Sequence, residues 1–151
     1  MKSKSAVLVD QAKQWATHYG AFTKGPEGAA LSAPLRVRGA WDRNDAAGVA
    51  DAFAANGSML LGDEQMRGRD AIQAYLGKAF AAGLRGSRVE DEPDDVFFIN
   101  ADTALVISTG GIVSKGESGL SADQRQRISW VVVRDKGEWR LFSYQSSPIK
   151  G

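Results

Sequence analysis

The strongest constraint on this chain lies near its end, where residues 127–147 read as two strands joined around Asp135-Lys136-Gly137. Strand side chains alternate between faces, so the pairing register decides which residues share a face. A three-residue loop ending in a left-handed Gly137 opposes Arg134 with Glu138. It then pairs Val133 with Trp139, Val131 with Leu141, Ser129 with Ser143 and Arg127 with Gln145. The other face carries Ile128, Trp130, Val132, Phe142 and Tyr144. Apolar residues on both faces call for two covers. The chain's own helices supply one, and a second copy on the aromatic face supplies the other, which predicts a homodimer through that face.

Upstream, the periodicity changes. In residues 5–19 the stripe Leu8, Ala12, Trp15, Tyr19, continued by Phe22, has helical spacing. Lys24-Gly25-Pro26-Glu27-Gly28 then reads as a linker. Residues 1–28 are therefore expected as an appended amphipathic helix and linker, docked on the main body or on a partner, and residues 29–151 as the main domain. Helical patterns are predicted over 29–43, 46–55 with Asp45 as cap, and 70–83. A short strand is predicted at 58–61, and only strands and loops after Ser87. Helices followed by an antiparallel run specify an α+β fold with helices on one side of a curved sheet.

Composition excludes several function classes. A net charge of +1 with no basic run argues against nucleic acid or an anionic membrane as partner. The absence of cysteine removes disulfides, thiol catalysis and cysteine–zinc sites. Residues 6–9 are too short an apolar run for a signal-peptide core, which with the missing cysteines leads to an expectation of a cytoplasmic protein. There is no dinucleotide fingerprint, phosphate loop or metal-ligand spacing, so no metal and no cofactor is expected. Five carboxylates in the six residues from Glu90 to Asp95, broken by Pro93, read as an exposed strand edge that resists pairing with another sheet.

Three segments carry a family resemblance: Ala40-Trp41-Asp42-Arg43-Asn44-Asp45-Ala46, Arg67-Gly68-Arg69-Asp70-Ala71-Ile72, and the strand pair from Val131 through Gly137 to Leu141. In this order and spacing they resemble the SnoaL-like proteins of the nuclear transport factor 2 superfamily. The subfamily most similar is the SgcJ/EcaC group of enediyne polyketide biosynthesis. The resemblance implies a cone of three helices and a strongly curved antiparallel sheet around one pocket, here with an additional N-terminal helix. It also implies frequent dimers through the sheet, and functions ranging from isomerase, cyclase, dehydratase or epoxide hydrolase to non-catalytic binding. Many catalytic members use a pocket histidine, whereas the single histidine here, His18, lies outside the resembling region.

On that frame, Gln145 occupies a position where the family often has Gln or His. With Arg127, Ser129 and Ser143 it forms a polar cluster on the inferred concave face, read either as part of a ligand site or as a buried polar network. Trp41, Met59 and Tyr75 are core candidates that also serve as pocket wall, completing the expected substrate-binding set. No catalytic residue is fixed. Arg127 could orient a carbonyl or be a solvated strand-end residue, and Asp63 could be a general base or a turn residue. The resulting expectation is an accessory protein of enediyne polyketide biosynthesis that binds a small apolar, polyene-like ligand, with isomerisation or cyclisation as the candidate chemistry. The alternatives are a non-catalytic carrier of a reactive intermediate and a module that associates with a polyketide biosynthetic enzyme.

Overall fold

A computed structural model describes residues 25–149. The expected helix at 5–19 lies outside the described residues. Helices α1 (Gly25–Ala30), α2 (Ser32–Asp42) and α3 (Ala46–Asp51) come first, followed by strands β1 (Phe53–Leu61) and β2 (Glu64–Arg67). Helix α4 (Arg69–Phe80), strands β3 (Arg88–Asn100) and β4 (Thr103–Val113), a 3-10 turn (Ala122–Gln124), and strands β5 (Gln126–Asp135) and β6 (Glu138–Pro148) complete the described chain. The six strands form one sheet in the order β2-β1-β6-β5-β4-β3. Every neighbouring pair is antiparallel except β1 with β6, which run parallel.

The elements follow from local chemistry. The Asp45 side chain accepts from the Gly48 amide at 3.0 Å and caps α3, as its position before an alanine run suggests. That helix ends at Asp51 rather than Ala55, because Phe53 and Ala54 are buried and enter β1. Asn56-Gly57, expected as a turn, lies inside this strand, where a Cβ on Gly57 would sit 2.7 Å from the Leu141 carbonyl oxygen. Strand β2, a short edge anchored by buried Met66, has no counterpart in the sequence expectation. The acidic run lies in β3, at the open edge of the sheet, with an irregularity between Pro93 and Asp95.

The last hairpin departs from the expected register. Its turn has two residues, Lys136 and Gly137, with φ of 53° and 82°. Two left-handed residues in succession make the tight turn whose twist matches a hairpin, so Asp135 opposes Glu138 and Arg134 opposes Trp139. A bulge at Phe142 then shifts the pairing again: Val132 opposes Leu141, but Val131 opposes Ser143 and Ser129 opposes Gln145. The bulge brings Leu141 and Tyr144 onto one face with Ile128, Trp130 and Val132, all at most 5% exposed within one core together with Trp41, Val37, Met59, Ile72 and Leu76 of the helical layer and β1.

The aromatic face expected to form a dimer is thus covered by the chain's own helices, and Phe142, 42% exposed, points the other way. Arg127, Ser129, Ser143 and Gln145 lie on the face away from the helices, so the expected polar cluster beneath them is corrected. The slip at the turn exchanges the faces of residues 139–142, and the bulge restores the expected parity from Ser143 onward, so the correction for the polar cluster is which face the helices cover: they bury the aromatic face.

Candidate functional site

At the end of the sheet remote from the β5–β6 turn, the inner face opens into a cavity of about 530 Å³. Its floor is β6, through Tyr144, Ser146 and Pro148, and its side is the start of β5 at Gln126. Leu61 of β1, Tyr75 of α4, Leu84 and Ile112 of β4 give it apolar walls, and residues 123–125 form a polar rim. Tyr144 is 5% exposed, and burial pushes its phenol up to about 12, reinforced by the nearby Asp91 charge and opposed by a hydrogen bond with Ser146. Like any phenol it is protonated at neutral pH, and it can donate to an oxygen in the cavity.

Behind this floor is a buried acid. The Trp130 ring packs edge-on against Tyr144, centroids 4.8 Å apart, and its Nε1 donates to Asp91 Oδ1 at 3.1 Å. Asp91 is 1% exposed. Its Oδ2 and the equally buried Ser108 hydroxyl each lack a hydrogen-bond partner of ordinary geometry. Arg38 Nη1 donates to the Asp91 backbone carbonyl at 3.1 Å, not to its carboxylate. Burial raises the Asp91 carboxyl to about 6, while nearby Ser108, the Trp130 indole and the Arg38 charge pull it down and Asp94 pushes it up. A buried carboxyl held toward its protonated form, one aromatic layer behind the cavity floor, is a candidate proton-transfer group.

The strand pairing explains how the acid reaches this place. Asp91 opposes Gly110 in β3–β4, where a Cβ on Gly110 would lie 2.0 Å from the Glu90 carbonyl oxygen. Only glycine allows β3 to approach so closely, and alternation then turns Asp91 inward with Val89 while Glu90 and Glu92 turn outward.

Residues 36–145 match the SnoaL-like domain family. The chain belongs to that family. Among solved structures, this SnoaL-like domain is similar to a cystatin-like-fold domain from Nostoc punctiforme: 24% identity, 80% of this chain and 75% of that one covered, TM-score 0.71. It also resembles a nuclear transport factor 2-like protein with a cystatin-like fold from Novosphingobium aromaticivorans: 16% identity, 100% and 93% covered, TM-score 0.69. A third likeness is to a nuclear transport factor 2-like protein from Shewanella oneidensis: 12% identity, 82% and 99% covered, TM-score 0.67. At these identities the likenesses establish the fold alone. The curated proteins include no match to this sequence.

The residues singled out from the sequence are dispersed in this SnoaL-like fold. Tyr75 lines the cavity. Trp41 and Met59 are each 1% exposed; Trp41 packs edge-on against Phe80 at 5.1 Å and donates to Ser87 Oγ at 2.9 Å. Arg127 lies on the outer face in an exposed ion pair with Asp94 at 2.9 Å and donates to Thr109 at 3.1 Å, which fits its solvated reading. Asp63 sits in the exposed turn between β1 and β2. Asp91 does not stand out in sequence, because it lies inside an acidic run whose members look alike. The usable signal was parity: Asp91 is two residues from the apolar Val89 on an alternating strand.

Among the described residues, no cluster of three or more His, Cys, Asp or Glu is placed to hold a metal, and no helix is long and apolar enough to cross a membrane.

Proposed function

We propose that this SnoaL-like domain binds a small organic molecule with an apolar body and an oxygen acceptor. The apolar part lies against Leu61, Tyr75, Leu84 and Ile112, and the oxygen accepts from Tyr144. The observation that carries this reading is a cavity with apolar walls and a tyrosine hydroxyl at its floor. A polyene-like intermediate of enediyne polyketide biosynthesis has the required character. That finer assignment, and association with a polyketide biosynthetic enzyme, draw their support from the motif resemblance.

Asp91 favours a second reading, in which binding is followed by isomerisation or cyclisation through proton transfer. Trp130 and Tyr144 stand between this carboxyl and the cavity, so direct transfer requires Tyr144 to move aside. Without that movement the domain is a carrier.

The test is titration with a conjugated polyene ketone, followed by quenching of intrinsic fluorescence. Saturable one-to-one binding is expected, and Tyr144→Phe weakens it by roughly tenfold, equivalent to about 1.4 kcal/mol. Equal affinity of wild type and Tyr144→Phe removes the hydroxyl from the site. The enzyme reading additionally requires turnover that rises with pH as Asp91 ionises, through about 6, and that disappears in Asp91→Asn. Binding without such turnover leaves the carrier.

A further inference from the structure

The ligand cavity has a direction. Its floor follows β6, and burial falls along it from Tyr144, 5% exposed, through half-buried Ser146 to exposed Pro148. The pairing with β5 sets Trp130 opposite Tyr144, Ile128 opposite Ser146 and Gln126 opposite Pro148. Tyr144 therefore marks the deep end of the cavity, and Gln126 its mouth. Four strand positions separate the two levels, about 13 Å at the usual rise.

Gln126 belongs to the inner face by alternation. Ile128, Trp130 and Val132 follow it at steps of two residues, and all three are buried. Gln126 itself is half-buried and lines the cavity. Among the described residues, no hydrogen bond engages its side-chain amide. Two rim residues beside it are already engaged: the Gln124 side-chain oxygen accepts from the Ser121 amide at 2.9 Å, and Asp123 is also partnered. Arg125 reaches the mouth too, but it is exposed, where water and salt weaken what its charge contributes. A purely apolar ligand filling the cavity would cover the Gln126 amide and leave its donor and acceptor unsatisfied. A ligand that is polar at that end satisfies both.

We propose that the ligand of this cavity is bifunctional. One oxygen accepts from Tyr144 at the deep end, and a neutral group that both donates and accepts, a hydroxyl or an amide, meets Gln126 at the mouth. Glutamine carries a donor, an acceptor and no charge, so it matches such a group in both directions. The spacing of the two levels sets the ligand's polar groups roughly 10 Å apart, with the apolar body between them. This inference rests on the binding role proposed for the cavity and adds the class of ligand that the cavity takes.

The test compares two ligands by fluorescence quenching. One is a conjugated polyene ketone; the other is the same ketone with a hydroxyl at the far end of its chain, about 10 Å from the ketone oxygen. Wild type should bind the hydroxy ketone about fivefold more tightly. Gln126→Leu keeps similar bulk and removes the polarity, so in that variant the two affinities should converge to within about twofold. Tyr144→Phe should weaken both ligands and keep the preference. Equal affinity of wild type for the two ketones overturns the inference and leaves the binding role of the cavity standing. A preference that survives in Gln126→Leu also overturns it, by assigning the hydroxyl to another partner. If neither ketone binds, the binding role fails and the inference falls with it.

Discussion

Two buried tryptophans sit in the same core and donate the same kind of hydrogen bond, yet their surroundings have opposite character. The Trp41 indole donates to Ser87 Oγ at 2.9 Å; that hydroxyl donates onward to the Leu84 carbonyl at 2.6 Å, and Asn44 donates to the Ser87 carbonyl at 3.2 Å. Each of these groups is neutral and partnered, so the network fastens α2 to the loop before β3 at low electrostatic cost. The Trp130 indole donates to a carboxyl instead, a buried acid with only the Ser108 hydroxyl beside it and no ion pair to its carboxylate oxygens among the described residues. The second arrangement stabilises the fold less than a neutral pair would. Interiors that break the rule of full polar satisfaction are where function is expected.

The contrast makes graded predictions. The largest effect should come from the charged site. The Asp91 carboxyl is raised from its ordinary value to about 6, so its protonated form is the one the fold tolerates. Stability from this group is present below the unfolded-state value, near 4, and is lost as pH rises through about 6. Between pH 4 and pH 8 the loss is about 2 kcal/mol. Asp91→Asn cannot titrate, so urea unfolding across this range should show wild type declining by that amount relative to the variant. Parallel curves for the two proteins would erase the contrast.

The neutral site should respond differently. Ser87→Ala orphans the buried Trp41 indole and should cost about 1–2 kcal/mol. Its effect should be the same at pH 5 and pH 8, because nothing in the Ser87, Trp41 and Leu84 contact titrates there. A cost that varied with pH would show that the two tryptophan sites are coupled.

The smallest effect belongs to the outer face. Gln145 is exposed and opposes Ser129 away from the helices, so Gln145→Leu should shift stability by no more than about 0.5 kcal/mol. It should also leave polyene ketone binding unchanged, since Gln145 does not line the cavity. A marked loss of binding would return the site to the outer face and undo the assignment of Tyr144.

Much of the fold was legible before any coordinates. Helical spacing in Ile72, Leu76 and Phe80 marks a buried stripe, and all three are buried in α4. The short strand expected at 58–61 lies within β1, and Asp45 caps α3 as its side chain suggests. These features are set within one turn or one strand, where the causes are neighbours in sequence. The SnoaL-like resemblance was legible for the same reason, since its motifs are short and in order.

The candidate site was not legible, because its residues meet only through long-range pairing. Whether Lys136-Gly137 forms a two-residue turn, and whether Phe142 is left over as a bulge, depends on the twist of the whole sheet and on which face the helices bury. The slip and the bulge moved Leu141, Trp139 and Phe142, while Tyr144 kept its place beside Trp130; the helices bury that aromatic face, placing Tyr144 at the floor of the cavity and Gln145 outside. Asp91 had the same dependence: Gly110 in the neighbouring strand supplies the room, and Trp130 a further strand away supplies the hydrogen bond. The sequence by itself determined where helices and strands form and which family the pattern belongs to. Tertiary structure decided which side of each strand faces inward, because a period of two makes a side chain's location depend on a single residue of register.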